Sequence, residues 1–232
     1  MAITPHFRFF ALIPLVALAA CEPAELSSNV NQDRIWARYE LVYDGQNDRT
    51  EPRASFRFGN GSGTQLRLDG DARVQFEGRT LELQTPLNVT FYSASLNGRT
   101  AEGTFRYTNA DGRVFENRVS NRALSLPGTL PDIRRGQPYT VTWQGEPVGP
   151  NEEVRLVLYR VSLDSRLAFA SATQAGATSV TIPPAQTQPI QPGEITVLLT
   201  RFTRGTPAQA TSAGGETVGE YNAPQRLGRV VD

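Results

Sequence analysis

From Arg34 onward the chain alternates between apolar and polar residues with a period of two. Phe56 and Phe58 flank Arg57, Leu66 and Leu68 flank Arg67, Val74 and Phe76 flank Gln75, and Leu81 and Leu83 flank Glu82. Successive side chains of a strand point to opposite faces, so this pattern buries one face of an antiparallel sheet and leaves the other to water. The chain is therefore expected to be all-β.

Turn residues separate these runs. Gly59-Asn60-Gly61-Ser62-Gly63, Asp69-Gly70-Asp71 and Glu77-Gly78-Arg79 supply positive φ or local side-chain caps for tight turns, several of which look like hairpin connections. The clearest hairpin runs from Thr104 through Phe105 and Tyr107 to Asn109-Ala110-Asp111-Gly112 and back through Phe115 and Val119. Between Arg34 and Tyr43 a helical face (Ile35, Tyr39, Val42) competes with a strand face (Ile35, Ala37, Tyr39, Leu41, Tyr43); aromatic and β-branched content favours the strand.

The rhythm breaks at Arg122 to Gln137, where Pro127, Gly128, Pro131 and Gly136 intervene, which marks a domain junction. Beyond it, Tyr139 to Trp143, Val154 to Val161, Ser179 to Ile182 and Ile195 to Arg201 have the spacing of sandwich strands, and Val154 to Val161, apolar on both faces, reads as central. The strand Tyr139-Thr140-Val141-Thr142-Trp143, with proline-rich turns after it, resembles the early core strand of fibronectin type III and related immunoglobulin-like modules. That resemblance covers roughly residues 123–232 and implies a β-sandwich there. Thr203 to Gly219, rich in Thr, Ala, Gly and Gln, is expected to be a long mobile loop or ragged edge.

The N-terminus carries a different signal. Arg8 precedes an apolar run from Phe9 to Leu18 interrupted only by Pro14, then Ala19 and Ala20, the layout of a secretory signal peptide. A bilayer-spanning helix needs ~20 apolar residues, and this run ends well short of that. Leu18-Ala19-Ala20-Cys21 resembles the lipobox of bacterial lipoproteins at all four positions. The resemblance implies cleavage between Ala20 and Cys21, a diacylglyceryl thioether on Cys21 and acylation of the new amino group; with Glu22 rather than Asp next, it implies the outer membrane. Ordinary cleavage near Ala17-Leu18-Ala19 is the alternative, and it would leave a lone thiol in an oxidising compartment. Each buried methylene contributes ~0.8 kcal/mol, so two or three acyl chains make release slow.

The chemistry open to the remaining chain is narrow. His6, Met1 and Cys21 are the sole residues of their types, and every basic side chain is Arg. A chain starting at Cys21 therefore has no imidazole and no lysine, which excludes Ser-His-Asp, Cys-His and Ser-Lys nucleophiles and His or Cys metal sites. Removing residues 1–20 leaves 22 basic against 23 acidic groups, so the body has no bulk attraction for nucleic acid.

Carboxylates, hydroxyls, amides and guanidinium groups remain. A glycosidase needs only two acids across a sugar, but no pair here has a telling context. Asp44, Gln46 and Asp48, or Asn29, Asn31 and Asp33, alternate oxygen ligands as a calcium loop does, yet neither set has a downstream bidentate Glu, and Asp44 to Asp48 reads better as a turn. Arg57, Arg67, Arg73 and Arg106 could share one outward face and grip an anionic polymer, against the plainer reading of a solvated face balanced by Asp69, Asp71 and Glu82. Trp36 and Trp143 could be sugar-stacking platforms, but their place inside strand patterns favours core packing.

The expectation is a signal peptide (1–20), a lipidated cysteine with a flexible tether (21–33), an N-terminal β domain (34–122) and a C-terminal β-sandwich (123–232), the two domains being antiparallel immunoglobulin-like sandwiches. The expected role is non-enzymatic: a lipoprotein held in the bilayer through Cys21, needing no cofactor or metal, that binds an envelope protein or polysaccharide and no nucleic acid. The rivals are a carboxylate-based enzyme acting on glycans and a carrier of an apolar ligand.

Overall fold

The computed structural model describes residues 24–160 and 165–232. The first half contributes β1 (Glu25–Leu26), β2 (Ile35–Asp44), β3 (Arg49–Phe58), β4 (Gln65–Arg67), β5 (Arg73–Phe76), β6 (Arg79–Thr80), β7 (Glu82–Gln84), β8 (Phe91–Ser93), β9 (Leu96–Asn97), β10 (Glu102–Thr108) and β11 (Val114–Ser120). The second half contributes β12 (Leu124–Ser125), β13 (Ile133–Arg134), β14 (Tyr139–Thr142), β15 (Gln144–Gly145), β16 (Glu152–Arg160), β17 (Ser165–Ala172), β18 (Ser179–Ile182), β19 (Gly193–Gly205), β20 (Gly215–Asn222) and β21 (Arg226–Val231). One short helix, α1 (Pro184–Thr187), follows β18.

The fold is all-β, with two cores that share one sheet. A 13-stranded sheet runs β1-β4-β3-β2-β20-β19-β16-β17, with the remaining short strands paired along its flanks. Over the β2–β3 end lies the separate sheet β11-β10-β5-β6, and Tyr39, Phe56, Phe76, Phe105 and Tyr107 fill the space between. Over the β19–β16 end lie β14 and β18, and Val141, Trp143, Leu156, Ile182 and Leu199 fill the second space. Two sandwiches were expected from the sequence, and two are present. What the alternation could not show is that three of the pairings are parallel: β1 with β4, β13 with β21, and β2 with β20.

The β2–β20 pairing joins the halves. β2 hydrogen-bonds antiparallel to β3 along its whole length and, on its other edge, parallel to β20 from Ala37 with Gly215 to Asp44 with Asn222. Its inward residues Ile35, Ala37, Tyr39 and Leu41 belong to the first core, and Tyr43 belongs to the second. The strand reading of Arg34 to Tyr43 therefore holds, as do the β10–β11 hairpin, with Gly112 at φ 78°, and the central place of β16 between β17 and β19. Gly219 permits the crossing where the chain passes from the first core to the second: a Cβ there would sit 1.8 Å from the Ser120 carbonyl oxygen.

A polar seam follows the same crossing. Asn121 is buried, donates through Nδ2 to the Thr100 carbonyl, and accepts from Arg99 at Nε. Arg122 reaches the buried Glu152 at 3.0 Å, and Glu152 also accepts from the Gly149 amide and the Thr203 hydroxyl. Fully buried Arg201 lies 4.0 Å from Glu152 and donates to the Glu146 carbonyl. Burial pushes the Arg201 pKa down, with the Glu152 carboxylate opposing.

Three segments depart from their expected character. The flexible tether expected over 21–33 is folded onto the first sandwich from Glu25 onward: Ser27 is fully buried and donates to Asp69, and Gln32 donates to the carbonyls of Ser27 and Val30 while accepting from the Ala110 amide. Polar pairing secures it, together with Val30, which packs against the first core. Thr203 to Gly219, expected to be a mobile loop, instead ends β19, crosses the rim of the first core and starts β20. Gln209 exchanges bonds with Glu116 and Asn117, the Thr211 hydroxyl donates to the Ile35 carbonyl, and the Ser212 hydroxyl donates to the Asp33 carbonyl. Asp69-Gly70-Asp71 is not a hairpin: it carries the chain from β4 in the large sheet to β5 in the small one.

Candidate functional site

The shared sheet has one face on the two cores and one face open. On β2 the alternation that sends Tyr39 inward sends Trp36, Arg38 and Glu40 outward; β3 adds Glu51, Arg53, Ser55 and Arg57. Through the parallel register Arg38 sits beside Glu216, and through β19 and β16 the face continues with Arg204, Phe202, Glu153 and Arg155.

Charges on this face alternate and pair. Arg53 meets Glu51 at 2.7 Å, Arg38 meets Glu40 at 2.7 Å and Glu216 at 3.1 Å, Arg204 meets Glu216 at 3.1 Å, and Arg155 meets Glu153 at 2.8 Å. Arg155 and Arg204 both lie over the Phe202 ring, with centroid distances of 4.8 and 5.7 Å. Burial opposes ionisation of Glu153, yet the Ser171 hydroxyl and the Arg155 guanidinium hold its carboxyl below the usual range. Individual half-exposed pairs contribute little to stability; a lattice of them keeps a flat sheet face dry beneath and wet above.

At the β3 edge the face dips into a groove of about 350 Å³ lined by Trp36, Arg38, Arg53, Arg57 and Phe91, with Glu40 as its sole acidic side chain. Gly61 lets the β3–β4 turn rest on the Trp36 ring, because a Cβ there would approach the ring to 3.2 Å. Arg57 donates to the Gly63 carbonyl, and Arg53 lies over the Phe91 ring at 5.8 Å. The groove wall continues into the β7–β8 connection, where Leu87 is 96% exposed and Leu87 and Asn88 both take positive φ, 48° and 63°. A leucine held in that region and in water is backbone strain without a packing reward.

The residues singled out from sequence are distributed as follows. Ala20 and Cys21 lie outside the described residues. Trp143 is a core residue whose indole N–H donates to the Glu146 carbonyl, as expected. Trp36 is not: it is half-buried on the open face, one residue out of phase with the core. Arg57, Arg67, Arg73 and Arg106 do not share a face, because Arg57 and Arg67 stand on the large sheet and Arg73 and Arg106 on the small one, where Arg106 pairs with Glu116 at 2.7 Å.

Asp44 accepts the amides of Gln46 and Asn47, and Asp48 accepts the Tyr43 hydroxyl, so this stretch is a turn closed by its own side chains. Asn31 caps Asp33, and the Asn29 amide donates to Glu25. The groove itself was missed, although the parity of β2 was enough to place Trp36, Arg38 and Glu40 together.

No known protein family matches the chain, and neither does any curated protein. Among solved structures, fibronectin(III)-like modules of Clostridium thermocellum CbhA match over 81% of this chain and 90% of that one, at 11% identity and a TM-score of 0.24. The strand pairings of this chain describe its fold without that likeness.

Proposed function

We propose that the chain is a non-enzymatic interaction module, held to the bacterial envelope by lipid on Cys21, that presents the open face of the shared sheet to an envelope protein or polymer. The observation carrying this reading is that face: it spans both sandwiches and is built from paired Arg and Glu around half-exposed aromatic rings. Its carboxylates are engaged by guanidinium groups on the same sheet, which favours a binding role over acid–base chemistry. The sequence supports the same choice, because residues 22–232 hold no His, Lys or Cys.

Under the strap of the first core there is no room for an apolar ligand. Beneath the strap of residues 206–214, between Pro207 and Tyr107, the free space is about 10 Å³, on the scale of one water molecule.

The anchor is tested by intact mass and membrane partition of the protein expressed in a bacterium, beside Cys21→Ser. Acyl mass on a chain beginning at Cys21, with the variant uncleaved or soluble, is the expected result. Two soluble, unmodified proteins would overturn the lipid attachment.

A further inference from the structure

The groove at Trp36 has the chemistry of an acidic-sugar site. Its sides carry three guanidinium groups: Arg38 is paired with Glu40 and Glu216 and Arg53 with Glu51, whereas Arg57, the cross-strand neighbour of Trp36, donates to the Gly63 carbonyl and has no carboxylate partner among the described residues. Guanidinium forks match carboxylates, and an indole face packs on the C–H face of a pyranose.

The surroundings limit the length of anion that fits. Glu51 and Glu216 pair with the groove arginines Arg53 and Arg38, and Glu220 follows on the same face, so a continuous polyanion such as a nucleic acid would meet carboxylates at once. One guanidinium without a carboxylate partner beside a half-exposed indole face, framed by acids, suits one acidic sugar within a glycan.

We propose that this groove binds a uronate-bearing oligosaccharide, with the ring of one sugar against Trp36 and its carboxylate on Arg57, the residue across the strand pair from that indole. The proposal rests on the reading of the chain as a binding module and names the ligand class of its open face. Glu40, paired with Arg38 at 2.7 Å, fences the groove on the side away from Arg57.

The test is calorimetric titration of the full chain, purified in detergent, with trigalacturonate, maltotriose, hexaglutamate and a hexathymidylate. The expected result is saturable binding of trigalacturonate with a shift in Trp36 emission, no binding of maltotriose, and at least tenfold weaker binding of the other two anions. Arg57→Gln should weaken trigalacturonate at least tenfold, and Trp36→Ala should abolish binding, while Arg106→Gln on the small sheet changes nothing. Arg57→Gln is a surface change, so the test stands even if Trp36→Ala fails to fold. No binding of trigalacturonate, equal binding of maltotriose, hexaglutamate or hexathymidylate, or equal loss in Arg106→Gln would overturn the assignment. Binding followed by cleavage would keep the site and overturn the non-enzymatic reading; absence of binding would remove the site and leave the anchored module standing.

Discussion

Tyr43 and Tyr221 face one another at 5.0 Å, with ring planes inclined by 35°, on the parallel pair β2 and β20. One comes from the first strand of the large sheet's centre and the other from nearly the end of the chain, and Arg99 covers Tyr221 at 5.2 Å. An aromatic pair of this kind contributes about 0.5–1.5 kcal/mol beyond its buried area.

Because the two cores share a sheet through this pair, they should unfold together. The chain has two tryptophans, Trp36 at the first core's sheet and Trp143 in the second core, so Trp143→Phe and Trp36→Phe leave one reporter in each half. Urea midpoints read from the two variants are expected to coincide after each is referred to its own circular dichroism transition. Tyr221→Ala should cost about 3–5 kcal/mol and lower both midpoints. Separated midpoints would show that the sandwiches unfold independently.

The seam makes an asymmetric prediction. Glu152→Ala leaves Arg201 buried without a carboxylate and should cost about 3–5 kcal/mol, whereas Arg201→Met leaves Glu152 with Arg122 and should cost markedly less. Chemical denaturation of both variants checks the order; equal costs, or the reverse order, would remove the seam's role.

Alkaline pH should open the cores. Burial raises the pKa of Tyr43, further raised by its bond to Asp48, and that of Tyr139, each to about 12, and raises Tyr39 and Tyr107 beyond that. For a phenol whose folded pKa is raised, the stability it protects is complete below its ordinary value of 10 and is lost as pH climbs through the folded value. The phenolate absorbance of these four, out of the seven tyrosines of the chain, should therefore appear only in step with loss of circular dichroism. A rise beyond the share of the other three in a still-folded protein would mean that these hydroxyls reach water.

Acid should release the N-terminal segment first. Asp69 accepts the Ser28 hydroxyl at 2.6 Å, the Ser28 amide at 2.9 Å and the Ser27 hydroxyl at 3.0 Å, and these bonds, those from Ser28 foremost, hold its carboxyl below the ordinary 3.8. A depressed carboxyl stabilises above its ordinary value and loses that contribution as pH falls through the folded one. Hydrogen exchange should show Ser28 protected at pH 6 and exposed near pH 2, and Asp69→Asn should mimic the acid state at pH 6. Unchanged protection in the variant would count against this clasp.

What the sequence revealed was whatever acts between near neighbours. Phe56 and Phe58 around Arg57 announced β3, and Asn109 to Gly112 announced the turn of β10 and β11, because period and turn chemistry are local. The β2–β20 ladder was hidden, since parallel pairing between distant strands leaves no mark on either. Gln209, Thr211 and Ser212 looked like loop residues because they fasten the strap by hydrogen bonds and not by apolar burial. Trp36 was recoverable: the inward set Ile35, Ala37 and Tyr39 already placed it on the opposite face, but its size argued for the core.

The pairing of β2 with β20 also bears on how the chain comes into being. Synthesis runs from the N-terminus at roughly 5–20 residues per second, so β2 waits on the order of 10–30 s for the strand that completes its second edge. Throughout that interval a row of unpaired amides and carbonyls lies open beside the first core, a template for another copy. A nonsense codon between Ser120 and Gly215 would release a chain with that edge permanently bare, so truncation there should produce aggregates and not a shorter working module.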